Sequence, residues 1–419
     1  MSHNFIPKIS IAIPTKSNLR YLKWAIPSLR KNSFRIDHDI IIFVDQDKDG
    51  TIEWLKSVEN EYNLTYHINP DLNNTLYGIG KAYDTCIKNS KTDIVCIFHA
   101  DMYACKDWDK ELLKYISPGK VIASTRIEPP LHPEEPCKIV KDFGLWPELD
   151  VQDGFKEKEL NKFVEECKLI YKDKITTGLF APWCVFKKDI MSIGMHDYIF
   201  KSAREDSDLF NRFQLAGYEL IQSRDSFVYH LTARGGQFQH GTLTTDYSQK
   251  SKDWQELMHY STLEFIRKWG TPVLHDEYLN PIVKKKRDVA FMVHNCNYQL
   301  LQTLEPWCSN LYVTTMLGGN IIDLYTAAMQ PHTQFDLNKK ITSFHTNKIT
   351  NDVVIEFDGS KLTQPGFNFL VNQLNDVIDQ TNETGKFEYD IFTITINSLK
   401  TYDLELITLN NEYYTNKLL

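Results

Sequence analysis

The stretch KISIAIPTKSNLRYLKWAIPSLRK (Lys8–Lys31), followed by the apolar run DIIIFV (Asp39–Val44), decides the fold. Short runs rich in Ile and Val, bounded by turn residues, are typical of strands buried on both faces of a parallel sheet. Between the runs, Leu22, Ile26 and Leu29 recur at helical spacing, which indicates an amphipathic helix. Further strands are predicted at Leu64–Ile68 and Asp93–Phe98, and further helices at Thr51–Tyr62 and Ile79–Asn89. This alternation predicts an α/β fold with a doubly wound, mostly parallel sheet.

The pattern changes twice further along the chain. Ile127–Thr177 is rich in Pro and Glu and contains one helical stretch, Glu157–Tyr171, so we expect an inserted lobe on the substrate side. A long amphipathic helix is predicted at Ser251–Trp269. We therefore predict a larger domain at 1–279 and a smaller α/β domain at 280–419.

The smaller domain has its own alternation of strands and helices, with no repeat linking it to the first half and no catalytic motif. Its predicted strands are Val289–Val293, Leu311–Thr314, Asp352–Phe357, Tyr389–Ile396 and Leu404–Leu409, and its predicted helices are Ile321–Met329 and Phe367–Gln380.

Composition narrows the class of protein. The 419 residues are 42% hydrophobic and 24% charged, which is typical of a globular protein with a sizeable core. The net charge of −8 argues against broad binding to nucleic acid or anionic membranes, so the basic run Lys284–Arg287 is interpreted as a solvated linker. We expect no transmembrane segment, no secretory signal and a cytoplasmic location. The eight scattered cysteines favour reduced, buried thiols.

The acidic turn FVDQDKDGT (Phe43–Thr51) follows the second predicted strand. A carboxylate just past the carboxyl end of a parallel strand faces the ligand crevice, so Asp45 is placed to bind the base or ribose of a nucleotide. Asp45, Asp47 and Asp49 also suit part of a calcium loop, but Lys56 occupies the position of its closing carboxylate. Helix capping is the alternative explanation for some of these aspartates.

The segment IFHADMY (Ile97–Tyr103) ends the fourth predicted strand. Its carboxylate Asp101 offers oxygen ligands that suit magnesium or manganese on a diphosphate. His99 lies two residues away and is either a second ligand or a structural, hydrogen-bonded histidine.

Two later segments carry further reactive side chains. In REDSDLFNRFQLAGYEL (Arg204–Leu220), three acids crowd the first turn of a predicted helix, where one of them could deprotonate an acceptor hydroxyl. In FVYHLTARGGQF (Phe227–Phe238), His230 ends a predicted strand and could complete a metal site, while Arg234 on a Gly-rich loop could clamp phosphate oxygens. An ordinary strand and surface loop remain the alternative for His230.

Taken in order, these segments resemble the GT-A fold of inverting family 2 glycosyltransferases. Ile9–Leu29 looks like the first strand and helix of that family, and FVDQDKDGT is similar to its uridine-binding turn. GIGKAYD (Gly78–Asp84) resembles the helix before its metal strand, and TTGLFAPWCVFKKDI (Thr176–Ile190) its acceptor-side strand. The most specific match is REDSDLFNRFQLAGY, which resembles the catalytic Glu-Asp motif of the family.

The resemblance implies roles for individual residues. It implies that Asp206 is the general base with Glu205 beside it, and that Asp101 holds a divalent manganese or magnesium ion. His99 and His230 are the implied further metal ligands, because the usual Asp-x-Asp run is replaced here by His99, Ala100 and Asp101. The implied nucleotide-binding residues are Pro14, Thr15, Asp45, Asp47, Lys81 and Arg234, and the implied acceptor-binding residues are Trp183 and Gly178. Trp146 is a further candidate for stacking on a sugar.

The implied activity is transfer of a sugar from a nucleotide-diphosphate donor, with UDP-sugars favoured, to a hydroxyl of a glycan or another acceptor. Inversion at the anomeric carbon is expected. Two alternatives stay open, a non-catalytic carbohydrate- or nucleotide-binding scaffold and a retaining GT-A transferase; a nucleotidyltransferase is disfavoured because no glycine-rich phosphate loop stands near the N-terminus. The smaller domain could bind the acceptor or mediate self-association.

Overall fold

The computed structural model describes residues 6–144, 154–232, 252–315, 320–344 and 349–409. These residues form two compact units. The first unit extends to residue 258 and includes 275–281, and the second contains 259–274 and the chain from 282 onward. The predicted domain limits, 1–279 and 280–419, stay a prediction. None of the described helices combines the length and the apolar character needed to cross a membrane.

The first unit is built on one large sheet. Its strands, within the described residues, are β1 (Ser10–Lys16), β2 (Asp39–Gln46), β3 (Leu64–Ile68), β4 (Ile94–Ile97), β5 (Met102–Ala104), β6 (Lys120–Glu128), β7 (Lys138–Val140), β8 (Ile175–Thr177), β9 (Trp183–Phe186) and β10 (Glu219–His230). The main path runs β3-β2-β1-β4-β9-β6-β10-β5, with β7 beside β6 and β8 beside β10. The helices are α1 (Leu19–Asn32), α2 (Thr51–Val58), α3 (Ile79–Asn89), α4 (Trp108–Leu113), α5 (Glu157–Tyr171), α6 (Lys187–Ser192) and α7 (Glu205–Leu215). The next helix, α8 (Lys252–Trp269), begins in the first unit, and its residues from 259 onward belong to the second.

The predicted α/β architecture is confirmed. Strand β1 pairs in parallel with both β2 and β4, and β2 pairs in parallel with β3. Leu22, Ile26 and Leu29 are fully buried on one face of α1, as their spacing predicts. Since the helices connecting these strands cover the sheet, the strands can be apolar on both faces.

The strand order creates a crevice at one edge of the sheet. The chain moves outward from β1 to β2 and β3, and then returns to β4 on the other side of β1, so the carboxyl ends of β1, β2 and β4 flank a topological switch point. Strand β9 lies between β4 and β6 in the sheet and is antiparallel to both. Strand β6 pairs in parallel with β10. The register brings Tyr229 of β10 opposite Ile127 of β6, so the next residues, His230 and Glu128, lie side by side.

The second unit has a smaller sheet with a related order. Its strands are β11 (Val289–Cys296), β12 (Asn310–Thr315), β13 (Ile341–Ser343), β14 (Val353–Asp358), β15 (Gly385–Tyr389) and β16 (Phe392–Ile396), and its helices are α9 (Tyr298–Leu304), α10 (Ile321–Met329), α11 (Leu337–Lys340), α12 (Gln364–Asn368) and α13 (Leu374–Thr381). The order β13-β12-β11-β14 is parallel throughout, and β16 and β15 add an antiparallel hairpin beyond β14. The predicted smaller α/β domain is thus confirmed as an architecture.

Three predictions in the second unit need correction. The predicted strand Leu404–Leu409 is wrong, because 403–406 form a short 3-10 helix. The predicted strand Tyr389–Ile396 begins too early, because β16 covers Phe392–Ile396 while Tyr389 ends β15. The turn between them contains Asp390 with a φ of +50°, a conformation that aspartate tolerates. The predicted helix Phe367–Gln380 is interrupted by one π-helical turn between α12 and α13.

The basic run Lys284–Arg287 is not a solvated linker throughout. Lys286 and Arg287 are buried, and the ammonium of Lys286 donates to the carbonyl oxygen of Arg267, 2.9 Å away in the last turn of α8. Arg287 forms an ion pair with Asp379 of α13. The interpretation from charge fails for these two residues because it took no account of tertiary partners. The prediction of buried, reduced cysteines is confirmed for all eight.

A buried ionic network lies inside the second unit. Arg267 donates to both carboxylate oxygens of Glu305, and the Lys340 ammonium lies 2.8 Å from the same carboxylate. Tyr325 donates a further hydrogen bond of 2.8 Å to Glu305, and Glu264 pairs with Arg267. Because these charges are withdrawn from water, each depends on its partners for compensation.

Glu305→Gln should therefore destabilise the second unit by about 3–5 kcal/mol, because it leaves the buried charges of Arg267 and Lys340 without their shared carboxylate. Chemical denaturation measures the free energy of unfolding. The matched control is Asp376→Asn, which removes an exposed partner of Lys284 and should stay within about 1 kcal/mol of the wild type. Equal effects of the two substitutions would contradict the assigned importance of the buried network.

Candidate active site

A cleft opens at the carboxyl ends of β1, β2 and β4. Its first chamber has a volume of about 120 Å³ and is lined by Thr15, Asp45, Tyr83, His99 and Asp101, among others. The strand order places these side chains together although they are up to 86 positions apart in the sequence. The crevice predicted from the alternation of strands and helices is therefore present.

Asp45 is held rigidly at the end of β2. The side-chain amide of Asn69 donates to Asp45 Oδ1 at 3.0 Å, and the backbone N–H of Tyr77 donates to the same oxygen at 2.9 Å. Among the described residues, the hydrogen bonds to this carboxylate reach Oδ1, which leaves Oδ2 for a ligand. Sequence reasoning missed Asn69 and Tyr77; the signal that could have found Asn69 is its position directly after β3, beside the end of β2.

Asp47 and Asp49 cap helices. Asp47 accepts hydrogen bonds from the backbone N–H groups of Gly50, Thr51 and Ile52 at 2.9–3.0 Å, and these bonds lower the pKa of its carboxyl against the opposing effect of burial. Asp49 accepts from the backbone N–H of Leu19 at 2.8 Å, which fixes the start of α1. The structure thus uses both carboxylates as the capping alternative requires, and a contact of Asp47 with a nucleotide stays a prediction.

The other predicted nucleotide-binding residues are distributed unevenly. Pro14 and Thr15 line the chamber, and Thr15 Oγ1 is buried without a hydrogen-bond partner among the described residues. Lys81 is exposed, with its ammonium 4.1 Å from the ring centre of Tyr77. Lys201, which sequence reasoning missed, also lines the chamber. Arg234 and Trp146 lie outside the described residues.

His99, Asp101 and His230 come together beside this chamber. Each offers one ligand atom, and the three atoms all lie within 4.8 Å of one another. The antiparallel pairing of β10 with β5 places His230 opposite Met102, so its Nε2 lies 3.6 Å from Asp101 Oδ1. The three residues that the sequence suggests for a metal shell are therefore gathered at one point.

The pKa values in this cluster diverge. Burial and the nearby positive charge of His230 lower the pKa of His99 to about 4, so its imidazole is neutral at physiological pH. Burial would also lower the pKa of His230, but its contacts with Asp101 and Glu128 raise it to about 9. The pKa of Asp101 is lowered, because its interaction with His230 outweighs burial. The carboxylates of Asp101 and Glu128 thus favour a positively charged group at the position of the His230 imidazole.

The donor set fits a divalent metal ion. Two imidazole nitrogens and one carboxylate oxygen suit a divalent transition-metal ion, and the spacing of the three atoms allows one ion to contact all of them. Sequence reasoning missed a fourth member of the cluster, Glu128, whose Oε1 lies 2.8 Å from His230 Nδ1. Its signal was present in the sequence as a carboxylate at the end of a parallel strand, but it stands at the start of the Pro-rich interruption.

The predicted catalytic acids sit at the start of α7. Ala203 and Arg204 precede them with φ values of +74° and +72°, left-handed conformations that are strained in residues other than glycine and that cluster at functional sites. This turn directs Glu205 and Asp206 to a second chamber. Asp206 Oδ1 accepts a 2.6 Å hydrogen bond from the backbone N–H of Ser207.

The third acid of this motif has a structural task. Asp208 is fully buried and accepts a 2.9 Å hydrogen bond from Arg212 Nε, one helical turn along. Arg212 in turn donates to the carbonyl oxygens of Ile193 and Met195. The trailing part of the motif therefore anchors α7 to the preceding loop, while its first two acids face the cleft.

Glu205 is buried with an unusual environment. Its Oε2 has no hydrogen-bond partner among the described residues. Burial, reinforced by the negative charge of Asp206, raises the pKa of Glu205 to about 8. Two adjacent carboxyl groups with such different surroundings can take different roles in proton transfer.

The second chamber has a volume of about 310 Å³ and is lined by aromatic side chains together with the two acids. Phe180, Trp183 and Phe210 contribute to its wall. It shares Tyr83 and His99 with the first chamber, so the two are parts of one cleft.

The two predicted acceptor-binding residues differ in position. Trp183 lines the second chamber but is buried, with its ring edge-on to Phe210 and Phe213. Gly178 has a φ of +103°, and a Cβ there would lie 1.8 Å from the carbonyl oxygen of Tyr278. The glycine is thus required by close packing of the backbone, and contact of either residue with an acceptor stays a prediction.

Comparisons with known proteins bear on this unit. Residues 10–165 match the family model described as glycosyl transferase family 2. No curated protein matches the sequence.

Solved structures with similarity to the chain include GalNAc-T7 with UDP, GalNAc and Mn2+, at a TM-score of 0.44 and 14% identity, covering 66% of this chain and 49% of that one. They also include S. aureus TarS, at 0.37 and 16%, covering 54% and 37%, and S. aureus TarS 1-349 in complex with UDP-GlcNAc, at 0.36 and 16%, covering 53% and 58%. The match spans about half or less of the GalNAc-T7 and TarS chains in these structures.

The matched segment runs from the first residue of β1 into α5 and contains Asp45, His99 and Asp101. Over this segment, the first unit of the chain is therefore similar to glycosyl transferase family 2, on a mostly parallel α/β sheet.

Proposed function

We propose that the protein is a nucleotide-sugar-dependent glycosyltransferase that inverts the anomeric centre. The observation that carries the proposal is the cleft that Asp45, His99, Asp101 and the Glu205–Asp206 pair all line, with His230 buried directly behind Asp101. The match of residues 10–165 to glycosyl transferase family 2 supports the same reaction class. A UDP-sugar is the favoured donor, and a glycan or another hydroxyl compound is the acceptor.

The first chamber suits the nucleotide. Asp45 Oδ2 and Thr15 Oγ1 offer an acceptor and a hydroxyl at the carboxyl edge of the sheet, where they can bind polar groups of the nucleoside. Lys16 and Lys201 line the same chamber and can neutralise phosphate charge. His99, Asp101 and His230 would hold a divalent ion, which when bound supplies further positive charge to the departing diphosphate.

The second chamber suits the transfer step. Asp206 takes the proton from the acceptor hydroxyl while that oxygen attacks the anomeric carbon, and the bond between this carbon and the diphosphate oxygen breaks with its electron pair going to the diphosphate. Glu205 stays neutral at physiological pH, since its pKa is about 8, so the pair carries a single base. Aromatic side chains in the chamber wall exclude water and can pack against a sugar ring.

Asp206→Asn should lower the rate of sugar transfer by about 10²–10⁴-fold and leave the affinity for UDP unchanged, because the amide cannot accept the acceptor proton. The rate of transfer is measured as the rate of UDP release, and the affinity for UDP is measured by calorimetry. Asp173→Asn is the matched control, since Asp173 is exposed and lines neither chamber. Full activity of Asp206→Asn would eliminate the assigned base, and absence of transfer by the wild type with any UDP-sugar would favour the scaffold alternative.

UDP should bind more tightly with manganese than with a chelator, and Asp101→Ala should abolish this difference, because the carboxylate of Asp101 belongs to the three-atom cluster. Calorimetric titration with UDP, GDP, CDP and dTDP tests the nucleotide preference in the same series. Equally tight binding of UDP with manganese and with chelator would contradict a role for the metal in nucleotide binding. The anomeric configuration of the product, read by NMR, separates inversion from the retaining alternative.

Glu205 also makes a pH-dependent contribution to stability. Its folded-state pKa is about 8, whereas an unfolded glutamate ionises near 4.3, so unfolding releases a proton between these two values. The stability contribution is present below about pH 4.3 and is lost as the pH rises through about 8. Relative to the wild type, Glu205→Gln should gain up to about 1.4 kcal/mol per pH unit across this window.

Chemical denaturation at pH 5, 6.5 and 8 in the presence of a chelator measures this trend. The exposed Glu165, changed to Gln, provides the control and should follow the wild type at every pH. Parallel curves for Glu205→Gln and the wild type would show that Glu205 ionises normally in the folded protein.

The role of the second unit in acceptor binding or self-association stays a prediction.

A further inference from the structure

We propose that Glu128 is a positioning residue that prepares His230 for metal binding, an inference that rests on the proposed metal-dependent function. Glu128 ends β6 and His230 ends β10, and the parallel register of these strands places the two residues side by side. Glu128 Oε1 lies 2.8 Å from His230 Nδ1. Both side chains are buried, so the contact is shielded from water.

This contact determines which nitrogen of His230 is available to a metal. An ionised carboxylate only accepts hydrogen bonds, so His230 Nδ1 must carry the proton of the shared bond. In the neutral imidazole, Nε2 then has the free lone pair, and Nε2 is the atom that lies 3.6 Å from Asp101 Oδ1. The lone pair thus belongs to the atom on the side of the proposed metal ligands. A carboxylate in this position also increases the basicity of a ligating imidazole.

Glu128 itself is fixed by two cations. Arg126 donates to Glu128 Oε1 at 2.8 Å, and the Lys138 ammonium lies 3.6 Å from Oε2. The Arg126 guanidinium lies 3.8 Å from the ring centre of Phe180, which lines the second chamber. The buried carboxylate is therefore held by cations from β6 and β7, and Arg126 is itself packed against the loop before β9. With its orientation fixed, Glu128 restricts the orientation of His230.

An alternative explanation is that Glu128 only stabilises the fold as a buried ion-pair partner. The chain offers a matched case of that kind, because His38 Nε2 lies 3.0 Å from Asp109 Oδ2 in a pair that is equally buried and that lines neither chamber. A purely structural role predicts similar consequences for the two pairs. A positioning role predicts an effect on metal affinity for Glu128 alone.

The test is to measure manganese binding to the metal-free 419-residue protein by calorimetry and by electron paramagnetic resonance. Glu128→Gln should weaken manganese binding about 10-fold, because its carbonyl oxygen can replace Oε1 while the negative charge is lost. Glu128→Ala should weaken it about 100-fold and reduce the nitrogen coupling from one histidine in the spectrum of bound manganese. Asp109→Asn should leave both the affinity and the spectrum as in the wild type.

The outcomes separate this inference from the proposed function. Wild-type affinity and spectrum in a folded Glu128→Gln protein, or equal losses in Glu128→Gln and Asp109→Asn, would overturn the positioning role and leave the metal site intact. Absence of manganese binding by the wild type would overturn both. If Glu128→Ala fails to fold, the nearly isosteric Glu128→Gln variant alone decides, since it retains the acceptor for His230 and Arg126.

Discussion

The parallel pairing of β1 with β2 and β4 is the constraint on which the site depends. Parallel strands end at the same edge of a sheet, so residues at their carboxyl ends meet there whatever their separation in sequence. Asp45 and Asp101 reach the cleft for this reason. A second parallel pair, β6 with β10, brings Glu128 to His230, and the antiparallel pairing of β10 with β5 brings His230 to Asp101. Slippage of either register by one residue would turn these side chains to the opposite face of the sheet.

The carboxylates near the cleft differ in their hydrogen-bond and ion-pair partners, and these partners determine their roles. Asp47 gains several backbone N–H bonds and becomes a helix cap, while Asp208 gains Arg212 and becomes a structural ion pair. Asp101 faces a histidine instead, and Glu205 Oε2 has no hydrogen-bond partner among the described residues. A buried acid without a full set of partners is costly to the fold. Such a cost at Glu205 is typical of a residue kept for binding or catalysis.

The sequence predicts the parts of this site that depend on local pattern. Strand ends locate Asp45 and Asp101, and the acidic first turn of α7 locates Asp206. It does not predict Glu128 as the partner of His230, because that contact joins positions 102 apart through a strand register that no local pattern encodes. The strand predicted at Leu404–Leu409 fails for a related reason: a short apolar run does not distinguish a strand from a 3-10 turn without its pairing partner.

The second unit repeats the strand order of the first without a sequence repeat. The orders β3-β2-β1-β4 and β13-β12-β11-β14 match, and a right-handed crossover between parallel strands favours such arrangements on physical grounds alone. Shared topology does not imply shared chemistry. At the strand ends of the second unit, His294 pairs with Glu356 and Asn295 with Asp358. The proposed metal cluster of His99, Asp101 and His230 lies in the first unit, and the chemistry proposed for this protein is assigned there.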